Sequence, residues 1–152
     1  MRLLVIGCGN EDRGDDAAGL LVARRLRELG IEARTHSRDG LALIESWAGA
    51  ERVILVDSVV TGSPPGTIGE WDARTAPVLR DALRASSHAF GVTEAIELAR
   101  VLGRLPPEMK IYGIEGVSFE AGAGPGAEVL GAVERLAGRI ADEIRGAKGT
   151  GQ

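Results

Sequence analysis

The sequence predicts an α/β fold with three layers (αβα), in which helices cover both faces of a mostly parallel, twisted sheet of about five strands, one of them antiparallel. Two observations predict this fold. Short apolar runs typical of strands buried on both faces alternate with longer segments that carry apolar residues at helical spacing. Aromatic residues make up only 3% of the chain although 44% of it is hydrophobic, so Leu, Val, Ile and Ala must form the core.

Five elements are predicted in the first half of the chain, in the order strand, helix, strand, helix, strand. They are "RLLVI", "DDAAGLLVARRLREL", "IEARTHS", "LALIESWAG" and "RVILVDSVV". The first strand runs into a glycine turn, and Gly30 ends the first helix. The third strand is the strongest prediction, because it is apolar on both faces until Asp57.

The second half predicts a turn, an additional strand, a helix, a last strand and a last long helix. They are "SPPGT", "TIGEWDA", "TEAIELARVLG", "KIYGIEG" and "GAEVLGAVERLAGRIADEIRG". No repeat or linker interrupts this order, so we expect a single domain over residues 1–146 and a disordered C-terminal tail over residues 147–152.

Composition excludes several classes of function. A length of 152 residues fits one domain, and a net charge of −4 gives no basic face for nucleic acid. No apolar run approaches the roughly 18 residues of a membrane span. The apolar part of the opening stretch is too short for a signal peptide, so none is expected. The single cysteine excludes an internal disulfide. We expect a soluble, cytoplasmic protein with no nucleic-acid or membrane partner.

Acidic residues collect where predicted strands end. Asp15 and Asp16 follow the first strand, Asp57 ends the third, and the last strand leads to Glu115. Because ligands of open α/β sheets lie beyond the carboxyl ends of the strands, we expect these side chains to converge. A carboxylate behind a buried strand must be paired, hydrogen-bonded or liganded, although Asp57 can instead cap the following turn. Capping the first helix is the role expected of Asp15, which leaves Asp16 for function.

The stretch "GCGNEDRGDDAAG" is similar at first sight to a glycine-rich nucleotide turn. In the fingerprint G-x-G-x-x-G, however, Asp12 occupies the position of the third glycine, and the P-loop lysine motif is absent. The acids at positions 11, 12, 15 and 16 would repel a pyrophosphate at the helix N-terminus. We therefore expect no nucleotide cofactor, and the loop favours a cation.

His88, in "SSHAFG", is the candidate third ligand if it reaches Asp16 and Asp57. Two carboxylates and one imidazole suit a borderline metal such as nickel, zinc or iron. His36 is expected at the surface, and Cys8 as a small packed thiol. The nucleophile motif G-x-S-x-G is absent, so no serine or cysteine nucleophile is expected.

These motifs together resemble those of the [NiFe]-hydrogenase maturation proteases, the endopeptidases that trim hydrogenase large subunits. "MRLLVIGCGNEDRGDDAAG" is similar to the family's opening pattern of an apolar strand, G-x-G-N, and two acids before a glycine in a helix. "VILVDSVV", "PPGTIGEW" and "SSHAFG" are similar to its strand-end Asp, its P-G-T turn and its histidine motif. The resemblance extends from Met1 to about Arg145.

The resemblance implies an endopeptidase that removes the C-terminal extension of a nickel-loaded hydrogenase large-subunit precursor. In the family an acid of the first motif, the strand-end Asp and the loop His bind metal; by position these are Asp16, Asp57 and His88. The nickel is expected to come from the substrate. Asp39 and Gly40 match a substrate-recognition motif, but the family's next residue, Gly or Thr, is replaced by Leu41.

Several alternatives stay open at this point. The metal can polarise the scissile carbonyl and activate a water, or Asp16 or Asp57 can act as a general base of an aspartyl-type endopeptidase. A non-catalytic nickel-binding hydrogenase assembly factor would need the same ligands. A related peptidase with another substrate is also compatible, since a fold does not fix its substrate.

Overall fold

The computed structural model describes residues 2–37, 39–75 and 92–150, with side chains as far as residue 146. The described residues form one five-stranded sheet and four α-helices. The strands are β1 (Leu3–Cys8), β2 (Arg34–His36), β3 (Arg52–Val59), β4 (Ile68–Asp72) and β5 (Glu108–Glu115). The helices are α1 (Ala18–Glu28), α2 (Gly40–Ser46), α3 (Val92–Leu102) and α4 (Ala127–Thr150), and a 3-10 turn, Gly14–Ala17, precedes α1.

The sheet has the strand order β2-β1-β3-β5-β4, and every neighbouring pair is parallel except β4 with β5. The predicted additional strand is this antiparallel edge. Residues 60–67 are too few to contain the crossover helix that a parallel return from β3 would need, so β4 runs in the opposite direction. The predicted α/β fold with a mostly parallel five-stranded sheet is confirmed.

The central strand β3 shows why the apolar run "VILV" is continuous. Successive side chains point to opposite faces of a strand, and both faces of this sheet are covered. Val53 and Leu55 pack in the core beneath α2 and α3. Ile54 and Val56 pack in the core beneath α1 and α4. The two cores make the three layers that the alternation of strands and helices predicted.

The last helix continues as backbone to Thr150, so it includes the first part of the segment that was expected to be a tail. The division into a domain over residues 1–146 and a tail remains a prediction. Within the described ranges, no helix is long and apolar enough to cross a lipid bilayer.

Candidate active site

The first loop folds back tightly onto the ends of β1 and β3. A Cβ on Gly19 would lie only 2.4 Å from the carbonyl oxygen of Val56, and a Cβ on Gly9 only 2.2 Å from that of Asp16. A larger residue at either position would therefore push the loop away from the sheet. The glycines of the opening motif thus serve backbone-to-backbone packing, which places the turn Gly14–Ala17 at the carboxyl edge of the sheet.

Asp16 and Asp57 each hydrogen-bond to Ser58, which directly follows Asp57 in the chain. The Ser58 hydroxyl donates a 2.9 Å hydrogen bond to Oδ1 of Asp16. The Ser58 backbone amide donates a 2.8 Å hydrogen bond to Oδ1 of Asp57. Asp16 is 7% exposed, Asp57 2% and Ser58 3%, so all three residues are buried. Ser58 therefore hydrogen-bonds to both acids, and the convergence of Asp16, Asp57 and His88 at one site remains a prediction.

Ser58 supplies a hydrogen-bond donor to each of these two buried carboxylates. Removing a carboxylate from water is costly unless donors or a positive charge compensate for it, and here two carboxylates are buried close to one serine. Across residues 2–37, 39–75 and 92–146, no group of three or more His, Cys, Asp or Glu side chains could hold a metal ion by itself. The predicted third ligand, His88, lies outside the described residues, and the complete ligand set remains a prediction.

Asp15 does not have the role that the sequence suggested for it. Capping of α1 was expected, but neither the 3-10 turn nor α1 has a side-chain cap at its N-cap residue. Instead Oδ2 of Asp15 accepts hydrogen bonds from the amides of Val117 (2.8 Å) and Ser118 (3.0 Å), and Oδ1 accepts one from Gly126 (2.8 Å). The prediction was wrong because a distant loop supplies three amide donors to this buried carboxylate.

Glu115 lies at the same edge of the sheet but holds a loop. Its carboxylate accepts a 2.8 Å hydrogen bond from the backbone amide of Thr61 and a 2.5 Å hydrogen bond from the Thr61 hydroxyl. Its own carbonyl oxygen accepts from the amide of Gly66 at 2.9 Å. Glu115 therefore holds both ends of the segment between β3 and β4. Its contacts differ from those of Asp16 and Asp57, which both hydrogen-bond to Ser58.

Asp39 and Gly40 begin helix α2. Asp39 is its N-cap residue, and Oδ1 accepts from the amide of Ala42 at 3.4 Å. Leu41 stands in the first turn of α2, where a helical backbone suits any L-residue, so its replacement of the family's Gly or Thr needs no special backbone freedom. Its side chain is 62% exposed. The role of Asp39 and Gly40 in substrate recognition stays a prediction.

His36 and Cys8, for which no role in the site was expected, end β2 and β1. His36 ends β2 and is half-buried; burial lowers the pKa of its imidazole, and the charge of Asp39 opposes that shift. The pKa of His36 is therefore below its ordinary value, and the neutral form is favoured. Cys8 is fully buried, in agreement with a packed thiol.

Sequence reasoning missed Ser58. The pattern "VDS" at the end of a buried strand carries a signal, because consecutive strand residues point to opposite faces. Ser58 has the same parity as Ile54 and Val56, which face α1, and it therefore points towards the loop that carries Asp16.

The sequence model of the hydrogenase maturation protease family (HycI) matches residues 31–143. The hydrogenase expression/formation protein HupD of Rhodobacter capsulatus is 30% identical over 124 residues, which are 78% of this chain and 59% of that protein. HupD of Thiocapsa roseopersicina is 25% identical over 78% of this chain and 56% of its own length. The chain thus spans about three fifths of the length of these two relatives.

Solved structures share the fold over nearly the whole chain. The hydrogenase maturating endopeptidase HybD of Escherichia coli superposes with a TM-score of 0.82 at 24% identity, covering 97% of this chain and 94% of that one. The [NiFe] hydrogenase maturation protease HybD of Thermococcus kodakarensis superposes with a TM-score of 0.73 at 26% identity, covering 95% and 99%.

Proposed function

The chain belongs to the hydrogenase maturation protease family, and we propose that it is an endopeptidase that removes the C-terminal extension from a nickel-loaded [NiFe]-hydrogenase large-subunit precursor. One observation carries the proposal beyond family membership. Asp16 and Asp57, the two acids that match the family's metal-binding positions, are joined through Ser58 at the edge of the sheet where α/β proteins bind ligands.

Recognition of nickel is the part of the proposal that the two carboxylates support most directly. Carboxylate oxygens and an imidazole nitrogen form a reasonable ligand set for a borderline divalent metal. Asp16 and Asp57 supply the carboxylates, and His88 is proposed to supply the imidazole. The nickel belongs to the precursor, so a precursor without nickel would lack the group that these residues contact.

Peptide hydrolysis in this proposal uses water and no protein nucleophile. Cys8 is fully buried in the core beneath α2 and α3, so its thiol is removed from any substrate. Two routes remain for activating the water: the substrate's metal can polarise the scissile carbonyl, or one of the two aspartates can accept a proton as general base. Either route requires Asp16 and Asp57 to be ionised and oriented towards the substrate.

The test incubates the full chain with nickel-loaded precursor and follows the precursor's mass. Wild type is expected to shorten the precursor, whereas Asp16→Asn and Asp57→Asn should slow cleavage at least 100-fold, since each removes a charge from the site. Glu11→Gln is the matched control, because Glu11 is an exposed acid of the same loop that pairs with Arg24. Nickel-free precursor should not be cleaved.

The same experiment separates the competing functions. A wild-type chain that leaves the nickel-loaded precursor intact would refute the proposed substrate. If that chain nevertheless bound the precursor with no change in mass, a non-catalytic nickel-binding assembly factor would be supported instead. Equal cleavage by wild type and both aspartate variants would refute the proposed site.

A further inference from the structure

We propose that Ser58 is the positioning residue of the metal-recognition site, because it orients Asp16 through its hydroxyl and Asp57 through its backbone amide. This inference rests on the proposed function, since it concerns how the two acids are presented to the nickel of the precursor. Ser58 is not itself assigned a contact with metal or substrate.

The contacts of Ser58 are direct and buried. Its hydroxyl lies 2.9 Å from Oδ1 of Asp16, and its amide lies 2.8 Å from Oδ1 of Asp57. Hydrogen bonds to ionised acceptors are roughly twice as strong as those between neutral groups. Because Ser58 is only 3% exposed, water cannot readily replace its hydroxyl as a donor. One residue therefore donates a hydrogen bond to one oxygen of each carboxylate.

The topology explains why such a residue is needed. Asp57 and Ser58 are neighbours on β3 and so point to opposite faces of the sheet. Asp16 comes from the turn before α1, on the face towards which Ser58 points. The two acids therefore approach the sheet edge from different layers of the fold, and Ser58 is a described residue that contacts both.

The two hydrogen bonds can be separated by mutation. Ser58→Ala removes the hydroxyl and with it the hydrogen bond to Asp16, but it keeps the backbone amide that donates to Asp57. Ser58→Thr keeps a hydroxyl at the same carbon and should restore the bond to Asp16. Ser46→Ala is the matched control, because the Ser46 hydroxyl donates to the carbonyl of Leu43 in α2.

Two readouts are needed, both taken well below the thermal midpoint of each variant. Calorimetry gives the affinity of the full chain for Ni²⁺ alone, and steady-state cleavage of nickel-loaded precursor gives kcat and KM. Loss of a residue that orients a metal ligand typically costs about 10- to 100-fold in metal affinity or activity. We expect Ser58→Ala to weaken Ni²⁺ binding at least tenfold and to lower kcat/KM by a similar factor. Ser58→Thr and Ser46→Ala should stay within about threefold of wild type.

The outcomes distinguish this inference from the function on which it rests. If wild type binds Ni²⁺ and cleaves the precursor while Ser58→Ala matches it within twofold, the positioning role is wrong and the proposed function stands. The positioning role is also wrong if Ser58→Thr is as weak as Ser58→Ala, since the hydroxyl would not be the cause. If wild type neither binds Ni²⁺ nor cleaves, both proposals are overturned.

Discussion

The carboxylate of Asp15 and the backbone amide of Gly126 are joined by a 2.8 Å hydrogen bond across 111 positions of sequence. Gly126 immediately precedes α4, so this bond ties the first loop to the start of the last helix. The same carboxylate also accepts from Val117 and Ser118, which follow β5. The adjacent acids Asp15 and Asp16 therefore differ in their contacts: Asp15 binds a loop, and Asp16 binds Ser58.

Asp15→Asn should destabilise the fold. The amide side chain carries no charge, and its NH₂ group would face amide donors where a carboxylate oxygen now accepts them. Weakening or losing these buried, charge-assisted hydrogen bonds is expected to lower the free energy of unfolding by about 2–4 kcal/mol. Urea denaturation measures the change. Asp142→Asn, at an exposed position of α4, should stay within about 0.5 kcal/mol of wild type, and equal effects of the two variants would contradict this role of Asp15.

Gly19→Ala should destabilise the protein more severely. A Cβ at this position would lie 2.2 Å from the carbonyl oxygen of Cys8 and 2.4 Å from that of Val56, and backbone atoms cannot move aside as a side chain does. We expect a loss above about 3 kcal/mol, or failure to fold. Gly138→Ala, within α4, meets no atom within 4 Å and should stabilise the helix by about 0.5–1 kcal/mol. Thermal denaturation of both variants checks the pair, and a stable Gly19→Ala would refute the close packing of the first loop.

Much of the fold could be predicted because it depends on local patterns. The run "RVILVDSVV" is apolar on both faces, and this property alone places it at the centre of a covered sheet. The short connection from β3 to β4 likewise favours an antiparallel edge strand. Such features need only neighbouring residues and the known periods of strands and helices.

The roles of individual acids could not be predicted in the same way. Asp15 and Asp16 are neighbours in one turn, and either acid is typical of the first turn of a helix. Their actual partners, Gly126 and Ser58, are 111 and 42 positions away. Which carboxylate serves structure depends on where the loop after β5 returns, and that is set by tertiary packing. The assignment of His88 as third ligand stays a prediction.

Another acidic residue, Glu143 on α4, is bound by three side chains of the sheet. It accepts hydrogen bonds from Arg52 (2.5 Å), Tyr112 (2.8 Å) and Lys110 (3.1 Å). Burial alone would raise the pKa of Glu143. The hydrogen bonds from Tyr112 and Lys110 and the charges of Lys110 and Arg52 outweigh that effect, so its pKa lies below the ordinary value of 4.5.

This shift predicts how stability depends on pH. A carboxyl group with a depressed folded pKa contributes stability that is present above the unfolded pKa of about 4.5 and is lost as pH falls through the folded value. Glu143→Gln should therefore be less stable than wild type at pH 7, by about 1–2 kcal/mol, and the difference should shrink steadily below pH 4.5. Denaturation at a series of pH values measures it. Glu134→Gln, which removes an exposed partner of Arg25, is the control, and a gap for Glu143→Gln that widens in acid would disprove the assignment.

Asp57 and Glu115 provide a last prediction, because both are buried acids near the carboxyl ends of adjacent strands. Asp57→Asn keeps an oxygen that can accept from the Ser58 amide, and its loss of charge should slow precursor cleavage at least 100-fold. Glu115→Gln weakens two hydrogen bonds from Thr61, so it should lose about 1–3 kcal/mol of stability. Its single-turnover cleavage should stay within fivefold of wild type at temperatures where it is folded.

Single-turnover cleavage and urea denaturation of Asp57→Asn and Glu115→Gln distinguish a role in cleavage from a role in stability. If Asp57→Asn cleaved normally but unfolded easily, its charge would serve the fold, as we infer for Glu115. If Glu115→Gln abolished cleavage while remaining stable, the loop between β3 and β4 would have to be counted within the active site. We expect slow cleavage by Asp57→Asn and low stability of Glu115→Gln. That result requires that the charge of Asp57, near the end of β3, act on the substrate, and that the charge of Glu115, at the end of β5, act on the loop.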